Sequence, residues 1–245
     1  MSKAPAIRFQ GRAAINGVAL FDPLDLNIAA EKWTCLLGAS GVGKTTILRL
    51  IAGLDSHTEF AGTITANDGL PLPPRLAYMA QDDLLLPWAN LRDNVALGAR
   101  LRGQGANWAV VDRLIASVGL TQHADKKPAQ LSGGQRQRAA LARTLAEDKP
   151  VILLDEPFSA LDAKTRSEMQ DLAAKLLAGK TVLLITHDPG EAARLAHAIA
   201  VITPAGLTWA DVPAGTAPRA VDDTAVLAAQ GALLKFLREG AKDAV

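Results

Sequence analysis

The sequence is poor in the residues that would build a cross-linked or nucleic-acid-binding protein. Cys35 is the single cysteine in 245 residues, so an internal disulfide is excluded. It lies in an apolar run, residues 33–37, which predicts a buried thiol in a reducing compartment. The formal net charge is only +1, so no basic surplus indicates nucleic acid as the main partner.

Long apolar runs are also missing. The first five residues, Met-Ser-Lys-Ala-Pro, lack the apolar stretch of a signal peptide. The longest uncharged run, residues 195–210, is interrupted by His197, Pro204 and Gly206 and is too short to span a bilayer. Hydrophobic residues make up 49% of the chain, which is ample for a core. We therefore expect a cytosolic globular protein that reaches a membrane only through a partner.

What the sequence does contain is an alternation of short apolar runs and amphipathic segments. An apolar run at 34–37 is followed directly by a Gly-rich stretch at 38–43 and a helical pattern at 46–54. Short strands are also predicted within 7–28 and at 62–66, 76–80, 151–154 and 181–186, and helices over most of 91–145 and at 163–177 and 191–197. The sum is an α/β core with a mostly helical insertion between Gln81 and Pro150.

The Gly-rich stretch fits the phosphate-loop pattern G-x-x-x-x-G-K-[ST] at residues 38–45. Its glycines let backbone N–H groups turn towards phosphate oxygens, and the following helix offers its positive N-terminal end. Lys44 is expected to reach the β and γ phosphates and Thr45 to place its hydroxyl on Mg²⁺. A chance Gly-rich turn is the alternative, but a strand before the loop and a helix after it argue against that. The nucleotide-binding set is Gly38, Ala39, Ser40, Gly41, Val42, Gly43, Lys44, Thr45 and Thr46.

The apolar run at 151–154 ends in two carboxylates, Asp155 and Glu156. Ligands of open α/β sheets bind at the carboxyl ends of the strands. Asp155 is then placed to hold Mg²⁺ through its coordinated water, and Glu156 to orient or deprotonate an attacking water. Alone, the pair would be read as solvated acids ending a strand; beside a phosphate loop, it predicts a metal ligand and a catalytic base.

A second Ser/Gly turn, Leu-Ser-Gly-Gly-Gln at residues 131–135, precedes another helical stretch at 139–145. A turn of this kind at a helix start is an anion site. Ser132 taken singly is also explained as an ordinary helix cap, but that does not account for a second anion-binding loop in one chain.

This LSGGQ segment resembles the signature of ABC-transporter ATPases. The remaining family order is present too: Gln81 resembles the Q-loop glutamine, residues 159–162 (Ser-Ala-Leu-Asp) the D-loop, and His187 the switch histidine. The resemblance spans roughly residues 7–202. It implies a P-loop NTPase core, RecA-like with a mostly parallel sheet, a small N-terminal antiparallel β subdomain and an inserted α-helical subdomain. Residues 1–245 would form one ABC ATPase domain, with the helical subdomain at about 82–150 and a short helical tail at about 222–245.

In that family two ATPase subunits pack head to tail, and the signature of one closes on the ATP held by the phosphate loop of the other. Carried over, Ser132, Gly134 and Gln135 would contact the γ-phosphate across a homodimer. Asp162 would link the two sites. The cofactors implied are ATP and Mg²⁺.

Within one subunit, the resemblance assigns roles to the remaining motif residues. Gln81 would complete the Mg²⁺ shell, together with Thr45 and Asp155, and sense the transporter. His187 would contact the γ-phosphate and help to hold the attacking water. Glu156, His187 and Gln81 are therefore the expected catalytic residues, although a lone His or Gln in these places would ordinarily be structural or a polar loop residue.

The sequence departs from the family at the adenine end of the site. Members usually stack adenine on an aromatic residue in an early loop, expected here near residues 13–16, where no aromatic occurs. Phe9 and Phe21 flank it, but both have the pattern of strand core residues. We hypothesise that an aliphatic side chain such as Ile15 takes the place of the aromatic ring.

After Gln81 comes the run Asp-Asp-Leu-Leu-Leu-Pro-Trp at 82–88. Large apolar residues beside an active-site loop suit a groove that receives a helix from a membrane subunit. The alternative is that they cap the core of the helical subdomain itself.

The leading hypothesis is the ATPase subunit of an importer, held at the cytoplasmic face of the cell membrane by transmembrane permease subunits and working indirectly with a substrate-binding protein. The run is similar to the nitrate/sulfonate/taurine branch, which includes importers of pyrimidine precursors of thiamine, so a small organic anion or a thiamine-precursor-type cargo is expected. A soluble ABC ATPase of an assembly or repair complex is the alternative. A small-molecule kinase is less suited, because that chemistry has no use for LSGGQ.

Overall fold

A computed structural model describes residues 3–55, 57–203 and 206–240. The chain divides into two compact units. The first unit comprises Met1–Leu76, Pro150–Asp155 and Gly179–Val245, and the second comprises Ala77–Lys149 and Glu156–Ala178. Residues 82–149 of the helical insertion that the sequence predicts belong to the second unit; that the whole chain acts as a single domain stays a prediction.

The secondary structure alternates as the sequence pattern indicates. The strands are β1 (Ile7–Ile15), β2 (Val18–Ile28), β3 (Trp33–Gly38), β4 (Glu59–Ala66), β5 (Leu76–Met79), β6 (Val151–Asp155), β7 (Thr181–Thr186), β8 (Ala198–Thr203) and β9 (Gly206–Ala210). The helices are α1 (Lys44–Ala52), α2 (Leu91–Val95), α3 (Leu97–Leu101), α4 (Trp108–Ser117), α5 (Gly133–Ala146), α6 (Ala163–Leu176), α7 (Pro189–Leu195) and α8 (Thr224–Gly240).

In the first unit, a small antiparallel sheet has the strand order β2-β1-β4. Asn16 and Gly17 form the turn between β1 and β2, and both have positive φ angles, 51° and 75°. A two-residue Asn-Gly turn of this kind matches the twist of the flanking strands. Phe9 and Phe21 are buried between the layers, as predicted, and their ring centroids are 6.1 Å apart.

The second sheet of this unit supplies the edge on which the site is built. Its strands run in the order β6-β7-β3-β8-β9, parallel from β6 to β8, with β9 antiparallel to β8. Every residue of β3, β6 and β7 is buried, including Cys35, as expected for parallel strands covered on both faces. Burial raises the pKa of the Cys35 thiol, which agrees with the predicted inert role.

In the second unit, short helices pack around α5. Helices α2, α3 and α4 all contact it, and α5 buries mostly alanines and leucine against them. Small residues on the buried face let helices approach closely. No helix in the described part of the chain is long and apolar enough to cross a membrane.

Two strands escaped the sequence analysis. The run at 195–210, interpreted only as uncharged, contains β8 and β9, while residues 204 and 205 lie outside the described part. Gly206, one of the residues that interrupt this run, is the first residue of β9. The predicted tail at about 222–245 corresponds to α8 as far as residue 240.

Candidate functional site

Three strands of the first unit bring predicted site residues to one sheet edge. Gly38 is the last residue of β3, Asp155 is the last residue of β6, and His187 follows the end of β7. The register pairs Leu37 with Thr186 and Asp155 with Ile185, so the three parallel strands end side by side. The phosphate loop, the first strand-end acid and the switch histidine therefore lie at the edge where open α/β sheets bind ligands.

The phosphate loop, residues 38–45, has the local geometry of an anion cradle. Lys44 is buried at the first position of α1, and its Nζ donates to the carbonyl oxygens of Gly38 at 2.9 Å and Ala39 at 2.7 Å. The ammonium group is thus held across the loop. Its positive charge thus lies at the N-terminal end of α1, the end of a helix that attracts anions.

Gly43 caps α1 and can only be glycine. Its φ angle is +91°, and a Cβ atom placed there would lie 2.8 Å from Cδ1 of Phe21 and 3.1 Å from Cγ of Leu20. The buried Phe21 ring therefore supports the phosphate loop from β2. The sequence analysis placed Phe21 in the core but gave no signal of this second contact.

The residues at this edge fit a magnesium ion that is held mainly by nucleotide phosphates. The Thr45 hydroxyl and the Asp155 carboxylate are hard oxygen donors of the kind that Mg²⁺ prefers. Among the described residues, no group of three or more His, Cys, Asp and Glu side chains could hold a metal ion. Mg²⁺ usually takes one or two protein ligands and completes its shell with substrate phosphates and water.

The loop that carries His187 is pinned from both sides. Thr186 Oγ1 donates to Glu191 Oε2 at 2.7 Å and accepts the backbone N–H of Asp188 at 3.0 Å. Asp188 in turn caps α7, because its Oδ1 accepts the N–H of Gly190 at 2.8 Å. Thr186 and Glu191 are buried, whereas His187 itself is exposed. The backbone of the histidine is thereby fixed while its side chain remains accessible.

The hairpin tip of β1 and β2 offers an aliphatic surface where the family has an aromatic ring. Ile15 pairs with Val18 across the Asn16-Gly17 turn, and the two side chains are 39% and 71% exposed. Two neighbouring exposed aliphatic groups provide a flat apolar patch without the stacking geometry of an aromatic ring. The contact of Ile15 with adenine stays a prediction.

In the second unit, the signature residues form a reciprocal helix cap. Ser132 Oγ accepts the N–H of Gln135 at 3.3 Å, and Gln135 Oε1 accepts the N–H of Ser132 at 2.9 Å. The Gln135 amide nitrogen also lies 3.1 Å from Nε2 of His123. The cap satisfies two N–H groups and leaves the positive end of α5 at Gly133 and Gly134. The phosphate contacts of Ser132, Gly134 and Gln135 remain predictions.

Glu156, the predicted catalytic base, begins a tightly turned loop. Its φ angle is +48°, a value that residues other than glycine rarely adopt. Its carbonyl oxygen accepts Ser159 Oγ at 3.0 Å and Gln137 Nε2 at 3.0 Å. Residues in sparsely populated backbone conformations of this kind are common at functional sites.

Asp162 at the end of the D-loop, residues 159–162, caps α6. Its Oδ1 accepts the N–H of Thr165 at 3.0 Å. This backbone hydrogen bond from Thr165 is the main reason why the pKa of Asp162 lies below its ordinary value. The carboxylate is therefore charged at neutral pH. The role of Asp162 in linking the two sites of a dimer stays a prediction.

The segment at residues 82–88, which follows the exposed Gln81, is held in place by contacts to its backbone. Arg143 of α5 donates to the carbonyl oxygens of Leu84 at 2.6 Å and Asp83 at 2.7 Å. Asn94 of α2 accepts the N–H of Leu86 at 2.7 Å. Leu84 and Trp88 are 63% and 70% exposed, so these two side chains do not serve as the internal cap that was the alternative interpretation.

The sequence analysis missed two sets of functional contacts in this unit. Arg136 and Arg143 reach from α5 to the 82–88 segment, and Gln137 reaches from α5 to the loop that begins at Glu156. Their only signal was a run of long polar side chains directly after the signature. Nothing in the spacing of the sequence indicates which distant backbone groups such side chains bind.

Comparison with known proteins gives a consistent result. The family model described as "ABC transporter" matches residues 21–159. An uncharacterized ABC transporter ATP-binding protein of Haemophilus influenzae is 43% identical over 231 residues, covering 91% of this chain and 95% of that protein. The aliphatic sulfonates import ATP-binding protein SsuB of Delftia acidovorans is 39% identical over 239 residues, covering 96% of this chain and 95% of that protein.

A solved structure shares the fold. It is the dimeric structure of a post-hydrolysis state of the ATP-binding cassette MJ0796 bound to ADP and Pi, with a TM-score of 0.72 and 28% sequence identity. The match covers 87% of this chain and 99% of that one.

Proposed function

Because this chain belongs to the ABC transporter family of ATP-binding proteins, we propose that it is the ATP-hydrolysing subunit of an importer and that two copies act head to tail. The observation that carries the proposal is that the chain has two Gly-rich loops at helix N-termini, each of a kind that can bind an anion. The first unit holds the phosphate loop with Lys44, and the second holds the capped N-terminus of α5. A single ATP molecule needs one such loop, and the second is explained by an ATP bound to another copy.

The proposed work of the first unit is to bind and orient the triphosphate. The phosphate-loop N–H groups and Lys44 hold the β and γ phosphates, and His187 contacts the γ-phosphate and helps to hold the attacking water. Thr45 and Asp155 would hold Mg²⁺, which when bound neutralises charge on the phosphates. Gln81, which the family resemblance assigns to the same shell, belongs to the second unit. The fixed backbone at His187 supports this proposal, because phosphoryl transfer depends on positioning.

The proposed work of the second unit is to supply the base and the contact to the other copy. Glu156 orients or accepts a proton from the attacking water, and Gln81 senses the transporter. Ser132, Gly134 and Gln135 contact the γ-phosphate of the other copy, and Asp162 links the two sites. The dimeric state named for the ATP-binding cassette MJ0796, which shares this fold, supports the dimer.

We further propose that the 82–88 segment docks a helix of a transmembrane permease, which holds the chain at the cytoplasmic face of the membrane. Exposed Leu84 and Trp88 on a firmly held segment supply the apolar contact that such docking needs. A substrate-binding protein would act indirectly through the permease. The sulfonate importers among the relatives favour a small organic anion as cargo, with a thiamine precursor second. Co-purification with a multi-spanning membrane protein separates this proposal from a soluble assembly or repair ATPase.

The composite site is tested by trapping. The Glu156→Gln variant should bind ATP without turning it over and elute as a dimer with ATP and Mg²⁺ but as a monomer without nucleotide. Glu168→Gln makes the same change at an exposed position of α6 and should give no trapped dimer. A Glu156→Gln variant that stays monomeric at saturating ATP overturns the head-to-tail proposal.

A further inference from the structure

We propose that Gln137 is a positioning residue that fixes Glu156 and links its position to the signature helix. The inference rests on the proposed role of Glu156 as the base for ATP hydrolysis. Gln137 lies on α5, two residues after Gln135, and its side chain is only 6% exposed. A buried, uncharged amide needs hydrogen-bond partners, and the partners that it has identify what it does.

The Gln137 amide brackets the loop that starts at Glu156. Its Nε2 donates to the carbonyl oxygen of Glu156 at 3.0 Å and to Ser159 Oγ at 3.3 Å. Its Oε1 accepts the N–H of Ala160 at 2.8 Å. One side chain thus holds both ends of this turn together by hydrogen bonds, as backbone hydrogen bonds do in helices and sheets.

The loop needs such support because its first residue is strained. Glu156 has a φ angle of +48°, outside the backbone regions that residues other than glycine favour. A backbone conformation of this kind persists only where several contacts of the surrounding structure hold it in place. Since Gln137 binds the carbonyl group of Glu156 itself, the amide holds the peptide that orients the carboxylate side chain.

The same helix carries the signature, and the two are in contact. A Cβ atom at Gly134 would lie 3.3 Å from Cδ2 of Leu161 and 3.5 Å from the carbonyl oxygen of Ala160. The signature glycine therefore packs on the D-loop at the point where Gln137 also binds it. When the α5 N-terminus engages the γ-phosphate of the other copy, any shift of α5 is transmitted through Gln137 to Glu156.

The test replaces the amide without changing the volume of the side chain. Gln137→Met removes all three hydrogen bonds, and Gln137→Glu keeps the acceptor for Ala160 but loses the donor to Glu156. Thr144→Val is the matched control, because Thr144 is about as buried on α5 and its hydroxyl donates to the carbonyl oxygen of Ala140 in the same helix. We expect the kcat of Gln137→Met to fall on the order of tenfold to a hundredfold with the KM for ATP unchanged. The kcat of Gln137→Glu should lie between the values of Gln137→Met and the wild type. Thr144→Val should have the wild-type kcat.

A second measurement separates positioning of the base from support of the signature. In the Glu156→Gln background, Gln137→Met should still form the ATP-dependent dimer, because the signature cap does not involve Gln137. Failure of Glu156→Gln alone to dimerise overturns the proposed function. A trapped dimer together with a normal kcat for Gln137→Met overturns the role of Gln137, and so does loss of the dimer when Gln137→Met is added.

Discussion

The two ends of β7 provide a matched pair of hydroxyl groups that tests how His187 is held. Thr186 Oγ1 donates to Glu191 Oε2 at 2.7 Å and accepts the N–H of Asp188 at 3.0 Å. Thr181, buried in the same strand, donates to the carbonyl oxygen of Pro5 at 2.8 Å and accepts the N–H of Glu31 at 2.9 Å. Replacing either threonine with valine removes one donor and one acceptor while preserving the side-chain shape. Only one of the two hydroxyl groups lies beside the switch histidine.

The expected cost in stability is similar for the two variants. Each loses two buried hydrogen bonds, and a net contribution of about 0.5–1.5 kcal/mol per bond gives about 1–3 kcal/mol in the free energy of unfolding. For a chain of this length, each kcal/mol lowers Tm by about 2–4 °C. Both variants should therefore melt roughly 2–12 °C below the wild type, with the Thr186 variant at the larger end because its partner is a carboxylate.

The expected effect on catalysis differs between them. Thr186→Val frees the backbone on both sides of His187, and a loss of fixed geometry should lower kcat about tenfold with little change in the KM for ATP. Thr181→Val should leave kcat at the wild-type value. Thr186→Ser keeps the hydroxyl and should restore most of the activity. The assay is steady-state phosphate release over a range of ATP concentrations, at a temperature well below the Tm of both variants.

Two outcomes would refute the reasoning. If the two valine variants lose kcat equally, the effect is a general consequence of weakening β7. If Thr186→Val keeps the wild-type kcat although its Tm falls, the Thr186–Glu191 bond supports the fold but does not position the histidine.

Three further predictions concern other parts of the chain. Ile15→Tyr should tighten ATP binding about threefold to tenfold by adding a stacking surface worth about 0.5–1.5 kcal/mol, and titration calorimetry that finds no change counts against Ile15 as the adenine contact. Trp88→Ser should weaken co-purification with the permease, whereas Trp108→Ser, a similar change on α4, should not; equal retention of the permease by both contradicts the docking role. Burial lowers the pKa of His197, so the unfolded chain binds more protons below about pH 6.5 and stability should fall as the pH drops through that value. His197→Asn should flatten this dependence in urea titrations at several pH values, and an unchanged slope would exclude His197 as its source.

The parts of the fold that the sequence predicted are those with a strong local signal. Buried strands such as β6 and β7 are short, continuous apolar runs, and the phosphate loop follows one of them directly. The resemblance to ABC-transporter ATPases and their sulfonate branch is confirmed by the family match over residues 21–159 and by the named relatives. Motif order along the chain carried that prediction, since each motif includes its own structural context.

The parts that escaped prediction depend on contacts between residues far apart in the chain. Gln137 binds groups 19 to 23 positions away, and Arg143 binds carbonyl groups about 60 positions away. Hydrogen bonds of this kind leave no periodicity, because the partner is a backbone atom that every residue has. The run containing β8 and β9 was missed for a different reason: Pro204 and Gly206 looked like interruptions of a single element.

The 82–88 segment is held mainly at its backbone, and Arg136 also binds the side chain of Asp83. Arg143 and Asn94 bind backbone groups of this segment, so the outward side chains of Leu84 and Trp88 take no part in fixing it. Substitutions at those two positions can therefore alter partner preference while the loop keeps its path. On the proposed docking role, the ATPase machinery would stay constant while these two surface side chains would determine which permease the subunit serves.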